Sequence, residues 1–229
     1  MNILITGPPG CGKTTLVTKI CSSFRHLQPV GFYTEEVRDI DTARRVGFDI
    51  VTLDGKRIPL ARVDRSRGKH GPSVGKYRVD VSAFERLVIP ILREAETSSL
   101  AVIDEIGKME LFSREFQAQV RKLLDSAATV VLGTIPCPRD GRERTGIAFV
   151  DMIRACDKDG RTQIWTIQLP CSTQKMTAAA ERDNRDAIFE EISYILSLHT
   201  TIAAQQDRSV FLEEEKEQKE EGEEHQKHC

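Results

Sequence analysis

Short apolar runs and stretches of helical period alternate along this chain. Asn2–Thr6 reads as a buried strand, and Leu16–Cys21 as the opening turns of a helix. Val30–Arg38 is a β-rich run. Phe48–Leu53 and Lys56–Ala61 flank Asp54-Gly55, a two-residue hairpin signal, so residues 30–63 are expected to form an antiparallel meander. Arg62–Arg78, basic and glycine-rich, reads as a long loop. Ser82-Ala83-Phe84-Glu85 has capping-box spacing and opens a helix to about Glu96. Leu100–Ile103 is a short apolar strand ending in Asp104-Glu105. Phe112, Phe116, Val120, Leu123 and Leu124 recur at helical spacing, and Val130–Thr134 is another buried strand. Gly146–Cys156 predicts a helix, and Gln163–Leu169 a strand that carries the single tryptophan, Trp165. Ile188, Ile192, Ile195 and Leu196 mark one face of a final helix. The pattern predicts an α/β fold: a mainly parallel sheet between two helical layers, with right-handed crossovers and an antiparallel β-meander extension. On such sheets ligands bind at the carboxyl ends of strands.

Charge changes this picture only at one end. Residues 213–229 hold eight Glu and three Lys, a local −5; against a chain total of −2, residues 1–212 sum to +3. The expected organisation is one folded domain over residues 1–200 and an acidic, solvated tail over 205–229. A nearly neutral body argues against a nucleic-acid or membrane surface as the main partner. No apolar run approaches the roughly 18 residues of a membrane span. The six cysteines, Cys11, Cys21, Cys137, Cys156, Cys171 and Cys229, show neither C-x-x-C pairs nor metal-ligand spacing. They read as free thiols in a reducing compartment, which together with the absence of a signal peptide predicts an intracellular, cytoplasmic protein; a monomer is expected. Cys11 stands beside a helix N-terminus, which favours thiolate; a small filler side chain is the alternative.

The chemistry is carried by Gly7-Pro8-Pro9-Gly10-Cys11-Gly12-Lys13-Thr14-Thr15, which satisfies G-x-x-x-x-G-K-[ST] between a strand and a helix. Glycines let consecutive N–H groups point into one concavity, and the helix behind it adds positive potential. Lys13 is placed to reach β- and γ-phosphates, and the Thr14 hydroxyl to ligate Mg²⁺. Asp104 ends its strand where a carboxylate would hold Mg²⁺ through its water shell. Glu105 follows, where it could take a proton from an attacking water. Thr134 is a candidate polar contact to that water or to the γ-phosphate, with an ordinary strand residue as the rival reading. Arg38, Arg44, Arg45 and the basic loop are candidates to meet charge developing on the phosphoryl group. Asp104–Gly107 also fits D-x-x-G, but Asp157-Lys158-Asp159 lacks the asparagine of a guanine-reading element, which argues against a guanine switch.

These segments resemble the THEP-type, or cancer-related, nucleoside triphosphatases. The resemblance is carried by Thr6–Thr15, Gly31–Arg38, Val46–Asp49, Ile103–Glu110 and Gly133–Pro136, with Asn184-Arg185 similar to a short late motif; it spans residues 2–198. It implies a P-loop domain of the RecA-like kind and a Mg²⁺-dependent hydrolase of nucleoside 5′-triphosphates with little base preference. Residues 169–180 look like an insertion, which puts the geometry of Arg185 in question, and the acidic tail is extra. Two other readings stand beside it. A P-loop kinase could use the Arg62–Arg78 loop as a lid, though Glu105 would favour hydrolysis. An RNA-binding assembly protein is poorly served by a loop whose one aromatic is Tyr77.

Overall fold

The computed structural model describes residues 1–63, 71–138, 142–156, 160–168 and 184–201. Part of the basic loop, Asp157–Asp159, the 169–180 insertion and the acidic tail lie outside the described residues. Nine strands form one sheet: β1 (Asn2–Gly7), β2 (Val30–Arg38), β3 (Arg45–Thr52), β4 (Arg57–Val63), β5 (Ser73–Val74), β6 (Tyr77–Val79), β7 (Leu100–Asp104), β8 (Val130–Pro136) and β9 (Thr162–Thr166). Their order is β5-β6-β4-β3-β2-β7-β8-β1-β9. From β2 to β9 every neighbour is parallel, whereas β3, β4, β6 and β5 add antiparallel to the edge of β2. The parallel half and the meander are therefore one continuous surface, hinged on β2.

Alternation along the strands decides which helices cover which face. Leu4, Phe32, Ala101, Ile103, Val131 and Ile135 belong to one buried cluster with side chains of α2 (Val81–Ala95), α3 (Arg114–Asp125) and α4 (Ala148–Ala155). The intervening Ile3, Ile5, Val102 and Leu132 are fully buried on the opposite face, where α1 (Lys13–Ser23) runs beside β1 and β8. Phe32, Phe84 and Phe116 meet with centroids 5.2–6.2 Å apart, a three-ring contact in which each pair adds about 0.5–1.5 kcal/mol beyond burial.

Four local expectations need correction. Helix α2 is capped by Asp80, which accepts from the Ala83 N–H at 2.9 Å, two residues ahead of the Ser82 capping box; a carboxylate outcompetes the hydroxyl for the first-turn amides. The β3–β4 hairpin uses three residues, with Thr52 N–H on Lys56 O (2.9 Å) and Gly55 at φ 91°, because a left-handed glycine closes a type I turn. The stretch read as a loop to Arg78 contains β5 and β6, which pair with each other and extend the meander. Phe112 lies in a 3-10 turn (Glu110–Phe112) at 36% exposure, and Ser113 caps α3 beyond it.

Met1–Arg185 forms one compact unit and a second begins at Asp186. The second unit is described as far as residue 201; residues 184–201 are helical, and Ile188, Ile192 and Leu196 recur there at four-residue spacing. No helix among the described residues is long and apolar enough to cross a membrane.

Candidate active site

Gly7–Gly12 turns the chain from β1 into α1. Gly7, Gly10 and Gly12 all have positive φ, and Gly12, at φ 91° and ψ 26°, is the helix N-cap. It has no side chain to bond the first-turn amides, and the first turn carries no acid. The orphan N–H groups of that turn remain directed at whatever sits over the loop. Lys13 spans the loop, donating from Nζ to Gly7 O (3.1 Å) and Pro8 O (3.5 Å). Pro9, Gly10 and Thr15 are exposed on the rim.

The acidic side is built by register. Asp104 follows Ile103 by one residue, so it faces α1's side of the sheet, and Thr134 shares that face between Gly133 and Ile135. The Thr134 hydroxyl donates to Asp104 Oδ1. The turn after β7 is pinned by Ile106 N–H on Thr134 O (2.8 Å) and Thr34 Oγ1 on Asp104 O (3.0 Å). Asp104 is 1% exposed, and its Oδ2 is a buried acceptor with no hydrogen-bond partner. Burial pushes its carboxyl above the usual range, opposed by the hydroxyls of Thr134 and Thr14 and by Lys13. The Thr14 hydroxyl thus favours the carboxylate without closing a well-formed bond to Oδ2. Burial also raises Glu105; Lys13 pulls it down and Asp104 pushes it up.

The loop Gly7–Thr15, Asp104, Glu105 and Thr134 are therefore brought to one edge of the sheet, where Lys13 is felt electrostatically by both acids. Arg38 and Arg45 are engaged elsewhere: both pair with Glu36 on the meander, Arg38 at 2.6 Å. Arg44 is exposed in the turn before β3. Cys11 does not bear out the thiolate reading. It is 2% exposed, and burial raises its thiol, so the desolvation cost of an anion outweighs the helix N-terminus.

Two residues of this region have no role in the sequence reading, Arg185 being named there only through the late motif. Glu110 is 4% exposed, and burial, reinforced by Glu105, drives its carboxyl up to about 8. A Cβ at Gly107 would stand 2.8 Å from Glu105 Oε1 and 2.9 Å from Glu110 Oε2, so the glycine lets two carboxyls converge in the turn after β7. The available signal was an acid set between Met109 and Leu111. The other is Arg185, whose Nη1 donates to Cys11 O at 3.3 Å despite the preceding insertion.

No cluster of three or more His, Cys, Asp or Glu suited to caging a metal occurs among the described residues. The donor set at this edge, one orphaned carboxylate oxygen beside a hydroxyl, instead suits a hard cation that takes its other ligands from phosphates and water.

Comparison with known proteins places these features in context. The sequence model of a family described as NTPase matches residues 2–193. The cancer-related nucleoside-triphosphatase of Homo sapiens is 50% identical over 162 residues, 67% of this chain and 82% of its own length. Nucleoside-triphosphatase THEP1 of Aquifex aeolicus is 44% identical over 142 residues, 59% of this chain and 78% of its own. The crystal structure of THEP1 from Aquifex aeolicus superposes with a TM-score of 0.63 at 38% identity, covering 86% of this chain and 99% of that one. The solution structure of the human cancer-related nucleoside triphosphatase gives 0.63 at 37% identity, covering 85% and 96%.

Proposed function

The chain belongs to this NTPase family, and on that premise we propose that it hydrolyses nucleoside 5′-triphosphates, with Mg²⁺, to the diphosphate and phosphate. The triphosphate lies over the Gly7–Thr15 amides, which bind it through charge and geometry common to every nucleotide. Lys13 leaves its loop carbonyls for the β- and γ-phosphates. Thr14 would ligate the Mg²⁺ and Asp104, whose Oδ2 has no protein partner, would hold it through its water shell. When bound, that ion neutralises charge on the β- and γ-oxygens. Thr134, by donating to Asp104 Oδ1, would leave Oδ2 for the metal's ligand shell.

Glu105 accepts a proton from the attacking water. The water oxygen bonds to the γ-phosphorus as the bond to the β,γ-bridging oxygen breaks, and the diphosphate leaves with the electron pair of that bond. Lys13 and the loop amides meet the charge that builds on the departing oxygen. No side chain in this scheme reads a base edge, which supports use of ATP, GTP, CTP, UTP and deoxynucleotides alike.

The observation that supports this reading most is the shared edge: the anion cradle and a buried, half-satisfied Asp104 face the same side of the sheet. A panel of NTPs and dNTPs, scored for phosphate release with and without Mg²⁺ and with no acceptor present, tests it. Steady Mg²⁺-dependent release at similar rates across bases is expected. Release only when an acceptor is added would replace hydrolysis with phosphotransfer, and one preferred base would refute recognition through the triphosphate alone.

A further inference from the structure

The strand order assigns directions to the two ends of a bound triphosphate. Reading across the sheet, β7 carries Asp104, β8 carries Thr134, β1 leads into the cradle, and β9 lies on the far flank. If the γ-phosphate lies toward the acids, as the proposed function requires, the α-phosphate and nucleoside point toward β9. That flank is tied to the loop. Ile167 N–H donates to Thr6 O at 2.8 Å, and a Cβ at Gly7 would meet Ile167 O and Cys11 Sγ, each at 2.8 Å.

Arg185 stands on this flank. Asn184 Oδ1 accepts from Gln168 N–H at 3.2 Å and so fixes the preceding residue to the end of β9. The Arg185 guanidinium then lies against the Cys11–Gly12 corner. Nη1 donates to Cys11 O, and a Cβ at Gly12 would come within 2.7 Å of the same nitrogen, so the guanidinium lies close over the loop. This bond uses one of five N–H donors and leaves a planar cation beside the loop.

We propose that Arg185 is the nucleoside-side contact of the substrate, its guanidinium plane stacking on the base, and not the arginine that meets the γ-phosphate. Stacking on a guanidinium accepts any base, because every base has a π-face, so this residue supplies affinity without base selection. The inference rests on the triphosphate placement proposed above. It extends that reading from the phosphates to the rest of the substrate.

Phosphate release by wild type, Arg185→Ala and Arg185→Lys is to be compared on Mg-ATP, Mg-GTP, Mg-CTP, Mg-UTP and Mg-tripolyphosphate, the last as substrate or as competitor. Arg185→Ala is expected to raise KM for each nucleotide about tenfold, with kcat little changed, and to leave the affinity for tripolyphosphate unaltered. Arg185→Lys keeps the charge without the plane and should not rescue. A fall in kcat on nucleotide and tripolyphosphate alike would overturn the proposal in favour of a γ-phosphate role. An equal loss of affinity for tripolyphosphate would make Arg185 a phosphate ligand instead, and unchanged kinetics would remove it from the site. Calorimetry with Mg-ADP on the same variants separates this inference from the hydrolase reading. If wild type releases no phosphate, hydrolysis fails, yet about tenfold weaker ADP binding by the alanine variant still supports the Arg185 contact; equal ADP affinity overturns it.

Discussion

Replacing Glu110 by glutamine should flatten the fall in stability that wild type suffers in alkali. Glu110 is 4% exposed, and its carboxyl rises from the ordinary 4.5 to about 8, chiefly through burial and secondarily through Glu105. Below the ordinary value both folded and unfolded chains carry the proton, and nothing is lost. Between 4.5 and about 8 the folded chain keeps a proton that the unfolded chain has released. Stability then drops by about 1.36 kcal/mol per pH unit, toward a ceiling of about 5 kcal/mol above the folded value. From about pH 6 to about pH 9 wild type should lose roughly 2–3 kcal/mol from this group, whereas glutamine, which mimics the protonated acid, has nothing to release. Urea denaturation followed by Trp165, the single tryptophan, measures the difference. The gap between Glu110→Gln and wild type should widen in favour of the variant by that amount. Curves that stay parallel across the range would refute a buried, proton-holding Glu110.

Three further outcomes follow from named contacts. Thr134→Val removes the donor to Asp104 Oδ1 inside a fully buried pair, and should cost about 1–3 kcal/mol by denaturant titration. Under the proposed function it should also lower turnover, since the Asp104 carboxylate is no longer oriented; a variant with wild-type stability would show the pair to be solvated. Gly31→Ala would set a Cβ 1.9 Å from Val102 O on the adjoining strand, where neither backbone can yield. A loss of about 3 kcal/mol or more is expected in thermal melts, and a mild effect would contradict the strand spacing. Asp80→Ala deletes the cap of α2 and should cost about 1 kcal/mol, while Ser82→Ala should cost little; the reverse order would restore Ser82 as the cap.

Legibility in the sequence followed the range of the interactions involved. The loop at Gly7–Thr15 and the strand-ending Asp104 were readable because each is fixed locally, by glycines that permit the turn and by a strand that stops at the sheet's carboxyl edge. Their shared face also follows from strand parity, once the order of β1, β8 and β7 is known. Glu110 was not readable. Its place between Met109 and Leu111 is a slight signal that many turn acids share; Gly107, which gives room for Glu105 and Glu110 to converge, lets it be a buried carboxyl. The place of Arg185 depended on β9 pairing with β1 and on Asn184 reaching back to Gln168, neither of which leaves a periodic trace. At Cys11 the helix N-terminus alone points to a thiolate, and only the folded chain shows the burial beside Gly7 that opposes it. The hairpin at Asp54-Gly55 was found but miscounted, since the dipeptide serves both two- and three-residue connections.

The Glu105→Gln variant probes the heart of the proposed mechanism, in which this carboxylate takes the proton of a water aimed at a phosphate held by the loop. Nucleotide affinity should stay close to wild type, while single-turnover phosphate release from Mg-ATP falls by about 10²-fold or more, the worth of a general base. Release at near the wild-type rate from a variant that binds normally would contradict the account.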